Sequence, residues 1–217
     1  MDFITAYKHL TQSLSRNDCT HLTTHFKDLE KACLEDQLYL SAEICNLMTS
    51  SHTQKSRAAW KILLDLCAQD LDADDFYVQI PYMANQKKWW LIEEALNHGV
   101  PLDTSNPNIF KSLIACAPLE KIQEIISQHE KEMHPEDVVL SVCNPDQRVF
   151  DYFLKTLSAQ TMQQALQQNS EGVRVSGVRF PITVHPWVTS ALEKKVITEN
   201  VQIASNSMER STPSRRI

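Results

Sequence analysis

Glycine is scarce in this chain of 217 residues, which contains only Gly99, Gly172 and Gly177. Loops that cradle phosphate need several glycines at fixed spacing, and neither G-x-x-x-x-G-K-[ST] nor G-x-G-x-x-G occurs. The same shortage argues against a turn-rich β architecture. No Cys-x-x-Cys pair is present. The six cysteines (Cys19, Cys33, Cys45, Cys67, Cys116 and Cys143) are scattered, mostly among apolar helix residues. That pattern fits small core residues in a reducing compartment better than a disulfide framework. There is no apolar run of about 18 residues, so no membrane span is expected. The start Met1-Asp2-Phe3-Ile4-Thr5 lacks the basic-then-apolar form of a secretory signal. A cytoplasmic protein is expected, and delivery into a host cell would need a route without a cleaved signal. The formal net charge of −6 is not that of a protein with the basic face used to bind nucleic acid.

What the chain does have is helical spacing of apolar residues almost throughout. Phe3, Tyr7, Leu10 and Leu14 recur on one helical face, and Leu22, Phe26, Leu29 and Cys33 repeat the pattern. Asp18, ahead of the second run, suits an N-cap. A third helix fits Leu38 to Met48, followed by a polar loop at 49–53.

From residue 55 a repeat emerges. Leu63, Leu66 and Cys67 are echoed by Ile92, Ala95 and Leu96, by Ile122, Ile125 and Ile126, and by Phe150, Phe153 and Leu154. The steps are 29, 30 and 28 residues, and Trp60 and Trp89 are also 29 apart. Periods of this size indicate stacked helical units. Pro107 and Pro135 run in phase with the repeat, each 15 residues before its anchor. Proline suits the first turn of a helix, where its missing N–H costs nothing. Each unit therefore predicts a proline start, a short helix, a turn, a longer helix and a loop.

The segment from Trp90 to Asp103 resembles the second helix and following loop of the ankyrin repeat family. There an apolar helix ends at glycine, here Gly99, and is followed by an acidic or amide residue. Gly99 takes the left-handed shape of a helix end without strain. Residues 107–126 resemble the next repeat: Asn106-Pro107-Asn108-Ile109 stands at its start, Ala115-Cys116-Ala117 supplies its small residues, and Leu119-Glu120 precedes its second helix. The strict Thr-Pro-Leu-His start is missing, and His129-Glu130 stands where Gly-Ala is usual. The period is also shorter than the family's length near 33 residues. The resemblance covers about residues 55–168. It implies an all-α, ankyrin-like solenoid of helical hairpins that binds another protein on a concave face lined by first helices. Those helices fall near residues 76–84, 108–116 and 136–143.

Four segments are expected. Residues 1–54 form a helical cap or degenerate repeats, 55–168 the ankyrin-like repeats, 169–204 a capping segment and 205–217 a polar, disordered tail. In the capping segment, Val173 to Phe180 alternates as a small hairpin and Pro186 to Ile197 reads as a helix. The contact candidates are Tyr77, Tyr82, Trp89, Trp90, Phe110 and Lys111. Of the adjacent pair Trp89-Trp90, one ring is expected to be buried and the other to be available to a partner, since neighbours on a helix point about 100° apart.

No residues are arranged for catalysis, and no cofactor or metal is expected. Cys19, His21 and His25 lack the glutamate of His-Glu-x-x-His. Asp65, Asp70, Asp72, Asp74 and Asp75 lack the glycine and glutamate of a calcium loop. His185-Pro186-Trp187 suits an anchor, and Thr212-Pro213 beside Arg210, Arg215 and Arg216 resembles a short recognition motif. The expected role is a monomeric protein-interaction module, a microbial effector that engages a host or competitor protein. One alternative is an immunity or inhibitor protein acting on a cognate enzyme. The other is an enzyme with a composite site near residues 173–197.

Overall fold

The computed structural model describes residues 1–50, 56–129 and 133–211, with side chains as far as residue 205. The described chain is mostly helical. Its first seven helices are α1 (Phe3–Arg16), α2 (Leu22–Glu35), α3 (Leu40–Thr49), α4 (Arg57–Cys67), α5 (Ala73–Asn85), α6 (Trp89–Asn97) and α7 (Pro107–Ile114). They are followed by α8 (Leu119–His129), α9 (Pro135–Ser141), α10 (Gln147–Thr156) and α11 (Ala159–Gln168). A hairpin of β1 (Val173–Val175) and β2 (Val178–Phe180) leads into α12 (Pro186–Ser211). The polar loop expected at 49–53 lies largely outside the described residues, as do Thr212-Pro213 and the neighbouring Arg215 and Arg216.

Two compact units can be distinguished: residues 1–117 with 175–178, and residues 118–174 with 179–217. In the first, α3 packs on α5 and α5 on α7, while α2 packs on α4 and α4 on α6. The helices thus alternate between two rows. In the second, α9 packs on α11 and α8 on α10, with α12 against α11. The four sequence anchors fall on α4, α6, α8 and α10. Leu63, Cys67, Ile92, Ala95, Ile122, Ile125, Phe150, Phe153 and Leu154 are buried, whereas Leu96 and Ile126 are half-buried and Leu66 is exposed. Pro107 and Pro135 each occupy the first turn of a short helix, α7 and α9.

The helix ends explain how so few glycines suffice. Four helices close with a left-handed residue: Asn17, Gln37, Lys87 and Gly99. In each case the next N–H reaches back five residues, as from Lys88 to the Met83 carbonyl and from Val100 to Ala95. This Schellman closure favours glycine, but asparagine and, at greater strain, other residues can adopt it. Only one of the four is glycine. The hairpin turn is built in the same way. Ser176 and Gly177 both have positive φ, which matches the twist of a two-residue hairpin loop.

Polar side chains tie neighbouring helices together. The last turn of α5 runs into Gln86, Lys87 and Lys88. Gln86 Nε2 donates to the Thr49 carbonyl at 2.7 Å. Lys88 Nζ donates to the Met48 and Ser50 carbonyls, both at 2.9 Å. Lys87 Nζ turns the other way and donates to the Ala115 carbonyl, just past α7, at 3.2 Å. Three consecutive residues thereby cap the exposed carbonyl ends of both flanking helices, where positive charge is favoured. His98 links α6 to α4, with Nε2 2.8 Å from Asp65 Oδ1 and Nδ1 2.8 Å from the Glu94 carbonyl. That carbonyl, together with Asp65, outweighs burial and holds the imidazole above its ordinary range.

Several local expectations change. Asp18 does not cap α2, because the helix begins only at Leu22. Its carboxylate instead accepts from Thr20 N–H and pairs with His21 at 3.3 Å. On α1, Ala6, Leu10 and Leu14 face inward, while Phe3 and Tyr7 are only half-buried. The polar tail expected from residue 205 is still helical through Ser211. No glycine or proline interrupts α12 after Pro186 until Pro213, so nothing in the sequence stops the helix earlier.

Candidate protein-binding surface

Within the row formed by α3, α5 and α7, α5 carries exposed apolar side chains. On α5, Val78 is 62% exposed and Tyr82 45%, with Tyr77 half-buried beside them. Asp72 starts this helix, accepting from the N–H groups of Asp74 and Asp75. The three carboxylates therefore sit at the positive end of the helix dipole. Pro81 lies within α5 and is buried. It has no N–H to offer the Tyr77 carbonyl, which is left without its usual helical donor on this face. Gln79 Nε2 donates to Asn46 Oδ1 at 3.3 Å and joins α5 to α3.

Leu34, in the last turn of α2, is 81% exposed, and in the turn before α3 Tyr39 is 83% exposed, with Leu38 exposed as well. An open groove of about 470 Å³ is lined by Cys33, Leu34, Leu38 and Leu40. A second groove, of about 510 Å³, runs past Tyr39 and Leu40 to Asp70, Asp72 and Asp75. Gln37 in the left-handed conformation ends α2 and turns the chain outward. As a result Leu38-Tyr39-Leu40 offers three consecutive apolar residues where the entry to a helix can bury only one or two. An exposed apolar patch marks a contact surface, and tyrosine is enriched among the residues that carry binding energy there.

The sequence candidates separate into two groups. Tyr77 and Tyr82 lie on α5, and α5 packs against α7, which carries Lys111. Phe110 was expected on the contact face. It is 3% exposed and belongs to the core, because its helical phase matches Leu113 and Ile114. Trp89 and Trp90 belong to the other row, at the start of α6. Both are half-buried, so neither ring is the fully buried one of the expected pair. The reason is their place in the first turn, where the chain has only just left the Lys88 corner. The Arg57 guanidinium lies 5.2 Å from the centre of one Trp90 ring, so that face already has a cation on it. Leu34, Leu38, Tyr39 and Val78 did not emerge from the sequence reading. Their only signal was apolar residues in excess of the helical stripe.

The remaining candidates resolve into local structure. His25 accepts or donates a hydrogen bond at 2.8 Å to Ser13 Oγ. Its ring lies 5.2 Å from that of His9 and 6.0 Å from that of His21. Burial, then the neighbouring imidazoles, push its pKa down. Asp65 is taken by His98 and Asp72 by the start of α5. Among the described residues, no group of three His, Cys, Asp or Glu side chains is placed to hold a metal ion. His185 stacks on Trp187, and Trp187 meets Phe150 edge-on at 5.2 Å, which makes it an anchor for the start of α12.

None of the six cysteines is in a disulfide, and Cys33, Cys45, Cys67 and Cys116 are buried. Burial pushes the Cys45, Cys67 and Cys116 thiols up to about 12. Thiolate is the reactive form, so iodoacetamide applied to the native protein should modify half-buried Cys19 first. These three should react only after urea is added, as peptide mass spectrometry would show; their early labelling would contradict the packing. Unfolded thiols ionise near 9, so these groups also withdraw stability as pH rises from about 9 towards 12.

Comparison with protein-family models, curated proteins and solved structures finds no match for this chain.

Proposed function

We propose that the chain is a protein-interaction module, built as an ankyrin-like stack of helix pairs and binding its partner along the α3–α5–α7 row. The observation that carries this reading is the exposed apolar series Tyr39, Val78 and Tyr82 with Leu34 at its edge. Support for the stack comes from the alternating packing of odd on odd and even on even helices within each unit. The prolines at the first turns of α7 and α9 add to it, as does Gly99 at the end of α6. Stacked helix pairs create extended surfaces suited to binding proteins.

A photoreactive phenylalanine analogue placed at Tyr82 or Tyr39 tests the reading in lysates of candidate host and producing cells. One protein should be captured from both positions. A Tyr39→Ala/Tyr82→Ala variant should bind it at least about tenfold more weakly, since truncating central aromatic contacts commonly costs about 2 kcal/mol or more. Its thermal midpoint should be unchanged, because Tyr39 and Tyr82 are exposed. Undiminished binding by the variant would reject this surface. A host protein as the captured species favours the effector role, and an enzyme made by the same cell favours the inhibitor role.

A further inference from the structure

In the second unit, helices α10 and α12 leave an open groove of about 550 Å³ between them. Each helix contributes one stripe. From α10 come Asp151, Leu154 and Lys155, and from α12 come Trp187, Ala191 and Lys194. The α12 positions follow helical spacing, continuing through Thr198, which also lines the groove, to exposed Val201. The floor is apolar and the rim is charged. Trp187 is fixed from beneath by Phe150, so the floor is rigid before anything binds.

The charge of the rim is opposite to that of the protein. The chain has a net charge of −6, yet Lys155, Lys194 and Lys195 stand around this groove against the single carboxylate of Asp151. Lys195 lies 3.4 Å from Glu199, and the Glu199 carboxylate is itself directed to the Ala159 N–H at the start of α11. Lys155 and Lys194 have no acidic partner among the described residues. Two helical stripes with an apolar floor form a ledge that a third helix fills by ridge-into-groove packing. The chain's own last residues, Ser-Arg-Arg-Ile, are basic and would be repelled by this rim.

We propose that the α10–α12 groove docks an acidic, amphipathic helical segment of a partner protein. The apolar side chains of that segment would lie over Leu154, Trp187 and Ala191, and its carboxylates would lie against Lys155 and Lys194. The assignment rests on the second unit alone and does not depend on the α3–α5–α7 surface.

The probe is a fluorescein-labelled peptide of about four helical turns, with leucine at every third or fourth position and glutamate on the flanks. Its counterpart carries lysine in place of each glutamate. Fluorescence anisotropy with the full chain should show binding of the acidic peptide and at least about tenfold weaker binding of the basic one. Lys155→Glu/Lys194→Glu should weaken the acidic peptide about tenfold or more, and Asp151→Asn should tighten it. All three side chains are exposed, so folding should be preserved, and circular dichroism checks this. The proposal is overturned if the acidic peptide fails to bind, if both peptides bind alike, or if the charge variants leave affinity unchanged. A dimer of the protein that dissociates in Lys155→Glu/Lys194→Glu would also overturn it, by assigning the groove to a second copy.

Discussion

Gly172→Ala is expected to destabilise the protein by about 3–5 kcal/mol, the sum of a backbone and a packing penalty. Gly172 has φ of +115°, which L side chains rarely adopt, and an added Cβ would lie 2.5 Å from the Phe180 carbonyl oxygen. Neither partner can yield cheaply. The carbonyl is backbone, and Phe180 is fully buried at the end of β2. Gly177, at the turn of the same hairpin, supplies the control. Its φ is +82°, but a Cβ there meets open space. Gly177→Ala should therefore cost only about 1–2 kcal/mol, the strain of the left-handed backbone. Urea unfolding followed by circular dichroism separates the two. Equal losses would mean that the close approach of Gly172 to β2 contributes nothing.

The second large effect concerns Lys88, which is 2% exposed and donates to the Met48 and Ser50 carbonyls. The carbonyls at the end of α3 favour the ammonium, but burial outweighs them and pushes Lys88 down to about 8. An unfolded lysine titrates near 10.5. Between the two values the unfolded chain holds a proton that the folded chain has released, so the contribution of Lys88 to stability rises as pH climbs from about 8 towards 10.5. Below about 8 the buried charge costs on the order of 3 kcal/mol relative to that upper limit. Lys88→Met abolishes the dependence. Its destabilisation should therefore be small near neutral pH and should grow by up to about 3 kcal/mol in alkali. The buried thiols act in the opposite direction above about 9 in both proteins, so the difference between the two stability curves is the quantity to read. A constant difference across this range would show that Lys88 titrates normally. Lys88→Ala should lose roughly 2 kcal/mol more than Lys88→Met at every pH, from the cavity it leaves.

What was legible in the sequence was whatever repeats along the chain. The anchors of α4, α6, α8 and α10 recur at nearly constant steps, and Pro107 and Pro135 mark helix starts because proline fits few other helical positions. Alternating valines with Gly177 marked the hairpin. What was not legible depends on which helix lies opposite. Phe110 is apolar and Tyr82 amphipathic, and only the packing of α5 and α7 puts the first inside and the second outside. The same uncertainty affected Trp89 and Trp90, whose exposure is set by the corner at Lys88. Lys88 itself follows another lysine in a polar stretch, and nothing in one dimension distinguishes a buried cation from a solvated one. Leu38 and Tyr39 were missed because helical phase accounts for residues inside a helix but is silent about those in its approach, and Leu34 because it stands off the buried stripe of α2.

The three side chains at 86–88 also bear on how such a chain can change length. In a modular array one hairpin can be excised or duplicated, since each joint resembles the next. Here the turn that follows α5 carries, within three residues, the closure for the end of α3 and for the end of α7. Excising α5 and α6 would bring together two ends that both lack their lids, and copying them would insert a pair whose lids face unrelated carbonyls. The steps of 28 to 30 residues therefore describe parts that are individually fitted, and this chain is free to diverge residue by residue but not by gaining or losing this hairpin.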